Sequence, residues 1–363
     1  MFLWHKGKQI FANKRKNHDF SIVTVVRKFF LCRTKRFEST YYGTATCTTA
    51  TCKKNPKKRI ESRKKLYLCN MKSTIRKTMK RQLFLLLTLL MSLVSMAQQQ
   101  LTVGNVTMTI CPEKGARILS FQYKGQEVIS QLTAPESFGS TFWTSPQNEW
   151  NWPPVREFDK MPYQVEEHDG RLIMTSEVSR RLKYRVRKEF STDKKDNAIV
   201  VTYSIINESD ETRQVAPWEI TRVENKGGVI FFDAPLDGIT PANLLPFNAA
   251  NGAVWYQPDE AAGNRKINAD GKGWYAYCNN GLLLLKTFDD LQSSQPAPGE
   301  AEIQVYMNRG KTFIELECQG AYTTLKPHEE LSWTVRWYLL PVKGNAEPSA
   351  KLMKTVRKLL QRL

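Results

Sequence analysis

Histidine is scarce in this chain: four in 363 residues, with only His168 and His328 beyond residue 97. No zinc motif, glycine-rich phosphate loop or nucleophile elbow occurs, which removes the commonest metal-hydrolase, nucleotide-binding and serine-hydrolase patterns. Cysteine is also thin beyond residue 97. Cys111, Cys278 and Cys318 are far apart and odd in number, so at most one disulfide forms among them. The longest apolar run falls short of the ~20 residues that span a bilayer. Acidic residues are nearly missing from the start. The first 97 residues hold 23 Lys and Arg against 3 Asp and Glu, a net of +20. The other 266 carry 31 and 32, a net of −1. The +19 of the whole chain is therefore a property of its first part. The near-neutral remainder lacks the basic face and motifs of a nucleic-acid binder.

The charge break has a local cause. Residues 79–97, "MKRQLFLLLTLLMSLVSMA", combine a basic pair (Lys80, Arg81), an apolar run and a small-x-small ending at Ser95-Met96-Ala97. That is the layout of a signal peptide, and it predicts export to the periplasm or the medium. No cysteine follows the cleavage pattern, so no stable membrane anchor is expected afterwards. Residues 1–78, with runs such as "KKNPKKRIESRKK", show no hydrophobic period. They read as a disordered basic leader, or as a start assigned too early, with translation beginning at Met79 or Met71.

From residue 98 the dominant period is two. In "RLKYRVRKEF", Leu182, Tyr184, Val186 and Phe190 alternate with Lys183, Arg185, Arg187 and Glu189, a strand with one wet face. Similar short strands occur in "NVTMTI", "AIVVTYSII", "GLLLLKTF" and "LSWTVRWYLL". Turn pairs separate them: Asp169-Gly170, Asp237-Gly238, Asn251-Gly252 and Asp270-Gly271. An all-β antiparallel sandwich over 98–341 follows. Only the tail, 342–363, is helical in pattern, with Leu352, Val356, Leu359 and Leu363 at helix spacing. "KINADGKGWY" looks like a calcium loop, but Lys266 and Tyr277 stand where carboxylates are needed, so a tight turn is expected.

"TFWTSPQNEWNWPP" (141–154) sets Trp143, Trp150 and Trp152 among Gln147, Asn148 and Glu149. Flat apolar rings beside amides and a carboxylate suit a sugar, which has a C–H face and a hydroxyl rim. Trp150 and Trp152 share strand parity and could form a stacking platform, with Gln147, Asn148 and Glu149 reading hydroxyls. The same rings could equally pack a core. We expect Trp143 to be buried and one of Trp150 or Trp152 exposed.

The closing stretch carries Leu316-Glu317-Cys318-Gln319 and then Leu325-Lys326-Pro327-His328-Glu329 before an aromatic strand. In this order the motifs resemble the galactose mutarotase-like superfamily of aldose 1-epimerases, whose fold is an antiparallel β-supersandwich. His328 stands where that pattern has Gly. The opening "GARILSFQYKGQEVI" is similar to the first hairpin of those proteins. Together with "SPQNEWNWPP" and "PWEITRV", the resemblance points to a secreted branch of the superfamily. It implies a carbohydrate ligand, a mono- or oligosaccharide, and no cofactor or metal. It also implies that Glu317 takes the proton from the anomeric hydroxyl while a histidine protonates the ring oxygen.

No histidine occupies the matching place. Trp218-Glu219-Ile220-Thr221-Arg222 stands there instead. Glu219 and Arg222 could bind or act on the sugar, and Trp218 could stack under it. Glu315 lies two residues from Glu317 and so on the same strand face, where like charge would raise one pKa. Both could equally sit on a solvated face. The expected sites are thus catalytic Glu317 and Glu219, with Trp150, Trp152, Gln147, Asn148, Glu149, Trp218, Arg222 and Glu315 as ligand contacts. Two other readings stay open: a non-catalytic structural or interaction module, and a glycosidase or lyase using Glu219 and Glu317.

Overall fold

In a computed structural model, the structure describes residues 71, 74–82, 98–133, 138–261, 263–310 and 312–362. The chain divides into two units, Met1–Arg81 and Gln82–Leu363. In the first, residues 74–81 are exposed helix. Most of the expected leader and signal segment lies outside the described residues. No described helix is long and apolar enough to cross a membrane.

The second unit is built from two antiparallel sheets, each of ten strands among the described residues. The first sheet, the cleft sheet, runs in the order Gln99–Val103, Val106–Cys111, Arg117–Tyr123, Ser140–Ser145, Arg213–Glu224, Phe313–Gln319, Ile303–Met307, Arg265–Ala269. Two short strands join its sides. The second, the back sheet, centres on Leu282–Thr287, Glu330–Pro341, Ala198–Asn207 and Tyr184–Asp193. The expected all-β sandwich and its strand-rich pattern are what the chain adopts.

Rings fill the space between the sheets. Phe142 of the cleft sheet stacks on Tyr203 of the back sheet at 4.5 Å, and Phe121 meets Trp337 edge-on at 5.3 Å. A smaller second core lies on the far side of the back sheet. It forms under the helix Ala350–Leu360, which buries Leu352, Met353 and Val356 against Trp255, Trp274 and Tyr338. Each such side chain contributes about 1.5–3 kcal/mol when fully buried. Ser349 starts this helix by accepting a hydrogen bond from the Leu352 N–H, 3.3 Å, so residues 342–349 form the approach rather than helix. In the closing hairpin His328 has φ 65°, in the left-handed region that glycine fills most easily, which accounts for the Gly of the resembling motif.

Candidate active site

The central strands of the cleft sheet have two different faces. Pleating sends alternate residues to opposite sides. Trp218 and Arg222 leave Arg213–Glu224 on one side, and their neighbours across the sheet leave with them. Ile220 pairs with Glu317, Arg222 with Glu315, and Trp218 with Trp143. Beyond these, Tyr306 pairs with Glu315 and Lys266 with Tyr306. This face is the floor of a cavity of about 510 Å³. Trp152, Pro153 and Pro154 form part of its wall, and Arg117, Gln147, Asp159, Asn308 and Phe313 also line it.

Glu317 lies at the floor and is buried. Its Oε2 accepts from Trp218 Nε1 at 2.8 Å and from Lys266 Nζ at 2.9 Å. No hydrogen bond is made by its Oε1 among the described residues. Burial pushes its carboxyl up to about 7, Lys266 opposes that shift, and Glu315 adds to it. The like-charge effect expected from Glu315 is therefore present but secondary to desolvation. Glu315 is held by Arg222, 2.9 Å, whose other arm donates to Thr141 Oγ1 at 3.1 Å. Lys266 stands 4.6 Å from the centre of the Trp218 ring, a cation–π contact. Asp159, which also lines the cavity, accepts from Trp143 Nε1, 2.9 Å, and faces Arg117 at 3.5 Å. Acid, base and flat apolar surface thus converge on one concavity.

No family model matches this chain, and no curated protein does. Solved structures do match. A provisionally assigned aldose 1-epimerase from Klebsiella pneumoniae superposes with a TM-score of 0.50 at 11% identity, over 73% of this chain and 86% of that one. Galactose mutarotase-like proteins from Clostridium acetobutylicum and Lactobacillus casei give 0.46 and 0.44 at 9% and 15% identity. Each covers 67% of this chain, and 95% and 100% of their own. The chain has the galactose mutarotase-like fold. Identities this low speak to the fold alone.

Within that mutarotase-like frame, several expected residues fall elsewhere. Glu219 leaves its strand on the face opposite Trp218, toward the back sheet, and is 0% exposed. Its Oε2 accepts from Lys286 Nζ at 2.6 Å, and Ser140 and Thr221 donate to its Oε1. Lys286 lies 3.3 Å from the centre of the Trp337 ring. A carboxylate on that side of the sheet cannot reach a ligand in the cleft, so Glu219 is a core group. The glycosidase or lyase arrangement, with Glu219 and Glu317 flanking one bond, fails for the same reason.

Trp150 is also corrected. It is 1% exposed, its Nε1 donates to Thr144 O at 2.8 Å, and its ring packs on Trp143 at 5.6 Å. Trp152 is 72% exposed and forms the rim. Trp143 is buried, as expected, though its edge reaches the cavity. Strand parity fails here because Gln147–Glu149 is a short 3-10 turn and Asn151 has φ 55°. Two rings that would share a face on a strand point apart. Gln147 reaches the cleft, while Asn148 is exposed outside it. Glu149 sits in the neighbourhood of Arg213 and Tyr322, away from the floor, and burial raises its carboxyl.

Lys266 was hidden by the turn-like residues that follow it. "RKINA" is a strand, and the turn begins at Asp270. Arg117, Asp159 and Tyr306 carry no sequence signal beyond their type. Both histidines among the described residues are exposed, His168 at a hairpin end and His328 in the closing turn. Neither lines the cleft. Among the described residues no three His, Cys, Asp or Glu group to hold a metal ion.

Proposed function

We propose that the cleft binds a carbohydrate and that the protein interconverts its anomers, with Glu317 as the base. The observation that carries this reading is the state of Glu317. One oxygen is held by Trp218 and Lys266, the other makes no hydrogen bond among the described residues, and burial brings the carboxyl to about 7. A base with that pKa is matched to removing a hydroxyl proton at neutral pH. The exposed Trp152 ring offers a stacking surface at the rim, and Gln147, Asn308 and Asp159 offer partners to hydroxyls. Structures with this fold include a provisionally assigned aldose 1-epimerase. We further propose that the segment 79–97 directs export, so that the working protein is periplasmic or secreted and begins near Gln98. Intact mass of the exported chain tests that part.

The activity is tested by NMR saturation transfer between the anomers of D-glucose and D-galactose, with titrations of both sugars. Acceleration over the spontaneous rate is expected, and Glu317→Gln should remove about 10²–10⁴-fold of it with the fold intact. Binding without acceleration would replace the enzyme reading with that of a binding module.

A further inference from the structure

Ring opening of a cyclic sugar needs two proton movements, and among the described residues no histidine lines the cleft to serve the second. The remaining groups can be compared. Glu219 faces the core. Arginine does not give up its proton at neutral pH, which removes Arg117 and Arg222. Asp159 accepts from Trp143 and faces the Arg117 guanidinium, both through Oδ1, so it stands in the cleft as an acceptor for hydroxyls rather than as a proton donor. Burial and Glu315 raise the Tyr306 phenol, making it a poorer acid. Lys266 lines the cleft, is 32% exposed at its side chain, and touches Glu317 directly at 2.9 Å.

We propose that Lys266 is the proton donor to the ring oxygen, acting with Glu317 as an adjacent acid–base pair. The assignment rests on the anomer-exchange reading of the cleft. Its geometric basis is that the anomeric hydroxyl oxygen and the ring oxygen are bonded to the same carbon. A donor and an acceptor one hydrogen bond apart can therefore serve both at once, without standing on opposite sides of the sugar. Trp218 holds the pair in register: its Nε1 donates to Glu317 and its ring face carries the Lys266 ammonium.

The step balances within the pair. Glu317 takes the proton of the anomeric hydroxyl as the C1–O1 bond becomes a carbonyl. The C1–O5 bond breaks, and its electrons take a proton from Lys266 Nζ. The products are the open-chain aldehyde, a neutral carboxylic acid and a neutral amine. Rotation about C1–C2 presents the other face of the carbonyl. O5 then attacks C1 and returns its proton to the amine, while O1 recovers a proton from Glu317. No oxidant, metal or co-reactant enters.

The test uses the full chain, with Lys266→Arg and Lys266→Ala, in the saturation-transfer assay on D-glucose and D-galactose. Lys266→Arg keeps the charge beside Glu317 but cannot donate the proton. It should lower kcat about 10²–10⁴-fold while KM stays near that of the unaltered protein. Added methylammonium should restore part of the activity of Lys266→Ala, since it supplies the missing acid. If Lys266→Arg retains full kcat, Lys266 only screens Glu317 and the assignment is overturned while the anomer-exchange reading stands. If Lys266→Arg does not fold, the rescue of Lys266→Ala decides: rescue supports the donor role, and a folded but unrescued variant overturns it. If the unaltered protein accelerates neither sugar, both the reading and the assignment fall.

Discussion

Glu219 and Lys286 form an ion pair in which both side chains are 0% exposed, and its removal gives a sharp test of which sheet face does chemistry. The cost of breaking it depends on what the survivor keeps. After Lys286→Met, the Glu219 carboxylate still has Ser140, Thr221 and Tyr275 as donors. After Glu219→Gln, the Lys286 ammonium keeps Thr221 and the face of Trp337. Burial already pulls that ammonium below the ordinary lysine range, with Glu219 opposing. Breaking a buried pair costs about 3–5 kcal/mol, so Lys286→Met should fall near the lower end and Glu219→Gln near the upper. At about 2–4 °C per kcal/mol for a domain of this size, Tm should drop by roughly 6–20 °C. The double variant removes both charges and should recover most of the loss. Calorimetry of the four proteins gives the cycle, and anomer exchange is measured on each below its Tm. Loss of exchange in Glu219→Gln without loss of Tm would refute the core assignment. Additive losses in the double variant would refute the pair.

The tryptophan loop predicts a split: Trp150→Ala should cost about 3–5 kcal/mol of stability, while Trp152→Ala should leave Tm nearly unchanged and weaken sugar binding. Glu317 acts as a base only when ionised, so kcat/KM for anomer exchange should rise with pH through about 7. The same carboxyl is raised from its usual 4.5, so its protonated form favours the fold. That contribution is full below about pH 4.5 and lost as pH rises through about 7, and Glu317→Gln should flatten this decline in urea titrations. Lys188 is buried, donates to Gly115 O at 2.6 Å, and burial lowers it to about 7. Its contribution is present above the usual 10.5 and lost as pH falls through 7. The unaltered protein should therefore gain stability relative to Lys188→Met between about pH 7 and about pH 10; a constant difference would count against a buried, titrating lysine.

What was legible in the sequence follows from where alternation survives. "RLKYRVRKEF" reads correctly because Tyr184–Asp193 has one buried and one partly wet face. Even its exception is visible, since Lys188 stands at an inward position of that pattern. Glu315 and Glu317 share the cleft face because both lie in one regular strand. Arg213–Glu224 gives no such help. From Val215 to Val223 every residue is buried, one face by the second sheet and the other by the cleft. Polarity there cannot say which parity meets the ligand, and the choice of Glu219 beside Trp218 took both. The tryptophan loop misled for a different reason: period-two reasoning holds only for extended backbone, and that segment turns.

The two faces also separate the charges of this sheet into a group sealed between the sheets and a group that lines the cleft. The pair Glu219–Lys286 is sealed between the sheets, where a change of protonation would leave a lone charge in a low-dielectric interior. It can fix the packing of the strands but cannot exchange a proton with a substrate. Lys266 and Glu317 stand on the reverse of the same sheet, with Lys266 partly in solvent and the cavity above them. A proton moved there can be replaced from water or from a bound hydroxyl. The cleft sheet therefore has a sealed ion pair behind it and a cleft-facing pair in front. Replacing Glu219 and Lys286 together should spare chemistry, whereas replacing Glu317 or Lys266 should spare the fold.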